Sequence, residues 1–157
     1  MQVKTPPPAA AAPRGCTHLK LRQAGRLVTR HYEERFRSSA LNITQYSLLS
    51  HVVRLAPVGA GELAAAMKLD ASTLTRNLQP LVEQGWVVVR PGTDARARIV
   101  EATPEGQALR ATAQRDWQRA QQALNRLLGS ERVAALHALL DECIALLEQD
   151  TTETNHE

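Results

Sequence analysis

Aromatic side chains are scarce in this chain: two Trp, two Tyr and one Phe make up 3% of it. A core with so few rings must be filled by aliphatic groups, and the abundance of Ala and Leu favours a mainly helical protein. Cysteine is nearly absent. Cys16 and Cys143 make neither a disulfide framework nor a C-x-x-C pair. No apolar run approaches the roughly 18 residues that would span a bilayer, and no signal-peptide core is present. A cytoplasmic protein with reduced thiols at rest is therefore expected. Metal-ligand clusters and Gly-rich phosphate loops are missing too. A peroxide reductase built on Cys16 would lack a resolving pair. The expectation is a protein that is not an enzyme, with no catalytic residues, no metal and no cofactor.

What is present points elsewhere. The chain has 157 residues, enough for one sizeable core, and an ordinary 22% of charged residues. Its net charge is only +3, which suits a nucleic-acid partner without demanding one. The distribution is more informative. Seven basic residues and two acids lie between Arg14 and Arg37, whereas seven acids and one base lie from Glu131 onward. A basic first helix and an acidic last helix could pair across a subunit interface, or both could be solvated faces.

Residues 1–13 are a Pro/Ala-rich stretch with no apolar pattern and are expected to form a flexible tail, as are residues 150–157. A first helix is expected from Gly15 or Thr17 to about Ser38, with Leu21, Ala24, Val28, Tyr32 and Phe36 as its buried face. Thr44 is the expected cap of a second helix, Gln45 to Leu55. Pro57 ends it, and GELAAAMKL forms a short third helix.

The stretch DASTLTRNLQPLVEQG, Asp70 to Gly85, then places Leu74, Leu78, Leu81 and Val82 on one helical face. Ser72, Thr73, Thr75, Arg76 and Gln79 occupy the other, and these groups can hydrogen-bond base edges and phosphates in a major groove. Asp70 is the expected cap, and Gly85 the terminator. Pro80 removes a main-chain donor within the helix, downstream of the base-facing residues.

Two β-rich runs follow, Trp86–Arg90 and Ile99–Ala102, joined by PGTDARAR. Arg96 and Arg98 on such a hairpin suit a minor groove, with Asp94 orienting Arg96. Alone, the loop would also read as an ordinary charged hairpin. Thr103-Pro104 starts a helix that runs to about Leu128. Its apolar side carries Leu109, Trp117, Ala120, Leu124 and Leu127. After Gly129, Ser130 is expected to cap a last helix striped by Val133, Leu136, Leu140, Ile144 and Leu147. The terminal helices carry more apolar surface than one small domain can cover. The pattern defines a mainly α (α+β) fold: a winged helix-turn-helix over residues 44–103 with a two-stranded wing. Residues 14–40 and 104–149 are expected to form its N- and C-terminal dimerisation helices.

The ordered strings RLVTRHYEERF, LNITQYSLLSHV, GELAAAM, DASTLTRNLQPLVEQGWVVV, PGTDARAR and TPEGQAL together resemble the MarR family of transcriptional regulators. The resemblance spans about Cys16 to Glu148 within a single domain covering residues 14–157. It implies a homodimer that binds a pseudo-palindromic operator and usually represses. It also implies major-groove roles for Thr73, Thr75, Arg76 and Gln79 and a minor-groove role for Arg96. The family's usual V-x-L-T before the proline is V-E-A-T here, with Ala102 at the leucine. Many relatives respond to small aromatic or lipophilic acids; His31, Tyr46, His51, Arg54 and Trp117 are the candidates to line such a cleft. Others sense oxidants through a first-helix cysteine. Cys16, near a helix start with Arg14 and Lys20 close by, has a suitable setting, but the family's sensing position aligns near Lys20. Cys143 borders the last apolar stripe and reads as a small core residue, although it could meet Cys16 as a redox partner if helices one and six of two subunits interlock. A winged-helix module for protein–protein contact, with no operator of its own, is the alternative function.

Overall fold

The computed structural model describes residues 13–93 and 97–154. The expected tail at residues 1–12, the last residues 155–157, and Asp94 and Arg96 lie outside the described residues. The element order is α1 (Thr17–Glu33), α2 (Ile43–Leu55), β1 (Val58–Gly59), α3 (Ala60–Ala66), α4 (Ala71–Glu83), β2 (Val87–Pro91), β3 (Arg98–Ala102), α5 (Pro104–Leu128) and α6 (Ser130–Thr154).

The first helix stops five residues before Ser38. The Arg35 amide donates to the Tyr32 carbonyl and the Phe36 amide to that of Glu33, tightening the chain into a turn. Glu33 then accepts the amide of Ile43 at 3.0 Å, which fixes the start of α2. That helix begins earlier than expected, because Asn42 and not Thr44 is its cap. Asn42 accepts from the Gln45 amide at 2.8 Å, and the Gln45 side chain accepts from the Asn42 amide at 3.0 Å, a reciprocal capping box.

Gly85, at φ +73°, turns the chain out of α4 in a conformation that glycine adopts without strain. Strands β2 and β3 then pair antiparallel, Val87 opposite Ala102 and Val89 opposite Val100. The unanticipated two-residue β1 adds to the outer side of β3, giving the sheet order β1-β3-β2. The core is aliphatic, as the composition requires. Leu41, Leu48, Leu49, Val52, Val58, Leu63, Leu74, Leu81, Val87 and Val100 are all fully buried between the helices and the sheet.

Thr103 does three jobs at the base of the hairpin. Its hydroxyl accepts from the Gly106 amide at 3.1 Å and donates to the Gly85 carbonyl at 2.8 Å, while its amide donates to the Trp86 carbonyl. Gly106 lies so close that a Cβ on it would sit 2.0 Å from the Trp86 carbonyl oxygen. The Thr-Pro-Glu-Gly string is thus a clamp that holds α5 to the hairpin.

The terminal helices differ most from expectation. Leu21 and Ala24, expected to be buried, are exposed, as are Leu19 and Leu27. Leu127, Leu136, Leu139, Ile144, Leu146 and Leu147 are exposed on α5 and α6, in line with the surplus apolar surface expected of these helices. Ser130 is the first residue of α6 and not the residue before it, and residues 150–154 continue that helix where a tail was expected. No helix among the described residues is long and apolar enough to cross a membrane.

Candidate nucleic-acid interface

Asp70 organises the start of α4. Its carboxylate accepts the Thr73 amide at 2.7 Å, the Ser72 hydroxyl at 2.5 Å and the Thr73 hydroxyl at 2.7 Å. Those donors hold its pKa well below the usual carboxylate range, the Ser72 hydroxyl contributing most. From this fixed start the helix buries Leu74, Leu78 and Leu81, and turns Ser72, Thr75, Arg76 and Gln79 to solvent. Thr73 is half-buried.

The exposed face is not uniformly available. The Thr75 hydroxyl donates to the Ala71 carbonyl at 2.8 Å, and the Gln79 amide donates to Glu83 at 2.8 Å. Arg76 makes no hydrogen bond or ion pair with the described residues. Sequence reasoning had grouped these side chains by type and missed Glu83, although a glutamate four residues after Gln79 is a recognisable helical pairing. Pro80 lies within α4, which continues through it to Glu83. Lacking an N–H, Pro80 leaves the Arg76 carbonyl without its usual helical donor.

The sheet stands beside this helix. Arg98 is exposed at the start of β3, and Arg90 reaches Glu101 across the ladder at 3.5 Å. Between α4 and the strands runs a cavity of ≈ 830 Å³ whose walls include Leu74, Leu78, Val82, Val89 and Val100. Lys68, in the turn before α4, pairs with Glu148 of α6 and so links the last helix to the helix-turn-helix.

A second cleft, ≈ 410 Å³, opens between α2, α5 and the end of α1. Of the five expected residues, Tyr46, His51 and Trp117 line it. The Tyr46 and Trp117 rings stack with centroids 6.2 Å apart. His31 lies outside the lining; its Nε2 donates to the Ala120 carbonyl at 3.1 Å and ties α1 to α5. Arg54, exposed at the end of α2, is also outside the lining. The cation that does line the cleft is Arg110, which sequence reasoning missed because it lies far away in the chain. It donates to Ser50 at 3.3 Å and Gln114 at 2.8 Å. Tyr32, also in the lining, donates to Gln121, and burial pushes its phenol up.

Cys16 is the N-cap residue of α1 and is exposed. Cys143, expected in the core, is exposed on α6. Among the described residues no group of three or more His, Cys, Asp and Glu is placed to hold a metal ion.

Two crossing helices, a polar helix face and a hairpin clamped beside it define a winged helix-turn-helix. Comparison with known proteins narrows the class. Residues 41–97 match the MarR family. The multiple antibiotic resistance protein MarR of Salmonella typhimurium is 30% identical over 106 residues, 66% of this chain and 74% of the relative. The uncharacterized HTH-type transcriptional regulator YwoH of Bacillus subtilis is 30% identical over 88 residues, and the aligned part spans 64% of its length. Among solved structures, the M. tuberculosis transcriptional regulator MosR in complex with DNA superposes with a TM-score of 0.68 at 30% identity, over 82% of this chain and 98% of that one. A mutant MarR of E. coli complexed with operator DNA gives 0.71 at 27% identity, over 80% and 91%. The chain belongs to the MarR family of winged helix-turn-helix transcriptional regulators.

Proposed function

We propose that the protein is a homodimeric repressor of a pseudo-palindromic operator, released by a small acidic ligand or by thiol oxidation. The observation that carries the DNA-binding reading is α4 itself. Its apolar face is locked into the core, and its solvent face offers a guanidinium, Arg76, that is unpaired among the described residues. Ser72, Thr73, Thr75, Arg76 and Gln79 are assigned to the major groove. Arg98, with Arg96 and Asp94, is assigned to the wing contact with the minor groove. Similarity to relatives solved with DNA supports the same assignment. In a two-fold dimer the two α4 helices must lie about one DNA turn apart, roughly 34 Å, to enter successive major grooves.

The cleft beside Tyr46 and Trp117 supports an aromatic acid as effector. Stacked rings provide an apolar wall, and Arg110 retains N–H donors beyond its bonds to Ser50 and Gln114. Its place between α2 and α5 would let a ligand shift the dimer arms against the helix-turn-helix. Thiol oxidation is the competing trigger, supported by the exposure of Cys16 at the start of α1.

A gel shift on the DNA upstream of the protein's own gene tests the reading. A specific complex weakened by salt is expected, because phosphate contacts release counterions. Aromatic acids and oxidants are then titrated for release, with Arg110→Ala insensitive to the acids alone. Absence of any specific complex at low salt would leave the operator reading without support.

A further inference from the structure

The hydrogen-bond directions on α4 carry an inference about which bases the helix selects, resting on the operator-binding reading above. A carboxylate and a backbone carbonyl accept hydrogen bonds and donate none. The Ser72 and Thr73 hydroxyls therefore spend their hydrogens on Asp70, and the Thr75 hydroxyl spends its hydrogen on the Ala71 carbonyl. All three present only lone pairs outward. The Gln79 amide nitrogen is turned toward Glu83. Arg76 is the strong donor left on this face.

We infer that α4 distinguishes amino from keto bases: Arg76 takes a guanine, and the acceptor-only hydroxyls of Thr73 and Thr75 select adenine or cytosine over guanine or thymine at neighbouring positions. The chemistry of the major groove gives the reason. Each base pair presents one amino group there, on adenine N6 or cytosine N4, while guanine and thymine present acceptors. An acceptor-only hydroxyl gains a bond at an amino base. At a keto base it meets another acceptor, unless it breaks its intrahelical bond and turns.

Asp70 thus sets the polarity of the reading surface without touching a base, which makes it a positioning residue. Replacing it with Asn should invert one contact and keep the cap, since Asn caps helices as well as Asp does. The oxygen of Asn would still accept the Thr73 amide. Its NH₂ would take the place of the oxygen that now accepts from Thr73 Oγ1. The Thr73 hydroxyl would then become an acceptor toward residue 70 and release its hydrogen toward the groove.

Selection from a randomised duplex library by the full-length wild type, Asp70→Asn, Thr75→Val and Thr75→Ser proteins tests this, with circular dichroism confirming that each is folded. Wild type should enrich a motif in which a guanine adjoins positions preferring A or C over G or T by about tenfold, near the lower end of the cost of one mismatched pair. Thr75→Val, which keeps the shape but loses the acceptor, should erase that preference at one position. Thr75→Ser, whose hydroxyl can still bond the carbonyl four residues back, should retain it. Asp70→Asn should move preference toward G or T at a different position. A wild-type motif that survives unchanged in both Asp70→Asn and Thr75→Val overturns the inference and leaves operator binding standing. Failure of the wild type to enrich any motif overturns both.

Discussion

Asp70 shows how one side chain links folding, pH and the reading surface. Its three accepted hydrogen bonds are strongest with the carboxylate ionised, and they depress its folded-state pKa. A depressed folded pKa means that the stabilisation is complete above the unfolded value of about 3.9 and is lost as pH falls through the folded one. The melting temperature of wild type should therefore exceed that of Asp70→Ala at pH 7, and the gap should narrow below about pH 4. A gap that stayed constant across a pH series of thermal melts would rule out the carboxylate as its source. Gly106 makes a steric argument at the same scale. Any Cβ there overlaps the Trp86 carbonyl, which is backbone and cannot rotate away. Gly106→Ala should cost at least the 1–3 kcal/mol typical of overpacking, read as a lower urea midpoint. If the midpoint is unchanged, the hairpin base is looser than its geometry implies.

At the scale of elements, the wing is where a local change should affect DNA without affecting fold. The Thr103 clamp fixes the base of the β2–β3 hairpin, while Arg98 stands exposed near its outer end and Arg96, outside the described residues, falls between the two strands in sequence. Arg96→Ala should weaken operator binding in gel shifts and leave the dimer intact by sedimentation. Wild-type affinity would sink the wing assignment. How legible an element was depended on whether its stop signals were local. Helix α5 begins at Pro104 and ends at Leu128, as expected from its Thr-Pro start and the glycine that follows. The cap of α2 was equally local but ambiguous, because Asn42 and Thr44 both qualify; the Gln45 side chain closing on Asn42 decides between them. Strand β1 had no local signal at all, since two residues become a strand only when β3 lies alongside. The cleft was half legible for a similar reason. Tyr46, His51 and Trp117 could be picked by residue type, but Arg110 enters through the packing of α5 on α2.

At the scale of the molecule, part of the apolar stripe that the sequence predicted on α6 is uncovered: Leu136, Ile144 and Leu147 are exposed, whereas Val133 is buried and Leu140 half-buried. Leu139 and Leu147 of α6 are 61% and 67% exposed, and Leu27 of α1 is 63% exposed. Large apolar side chains left open to water on two helices call for a cover, and the proposed second copy supplies one. Charge supports the same pairing, with Arg22, Arg26 and Arg30 along α1 and Asp141 and Glu142 among the acids of α6. In that arrangement Leu139→Glu places a charge in the seam, and sedimentation should report the monomer mass. Operator affinity should fall with it, by about 10²–10⁴-fold, because two linked helices gain their avidity from being held on one particle. Cys143 lies on the same helix, one turn from Leu139, and gives an independent readout. Maleimide should label it slowly in the wild-type dimer and quickly in the Leu139→Glu monomer, whereas Cys16 at the start of α1 responds to its own local cover. A Leu139→Glu protein that still sediments as a dimer would move the interface elsewhere. If it sedimented as a monomer with undiminished operator affinity, the pairing of two α4 helices would no longer be needed to explain binding.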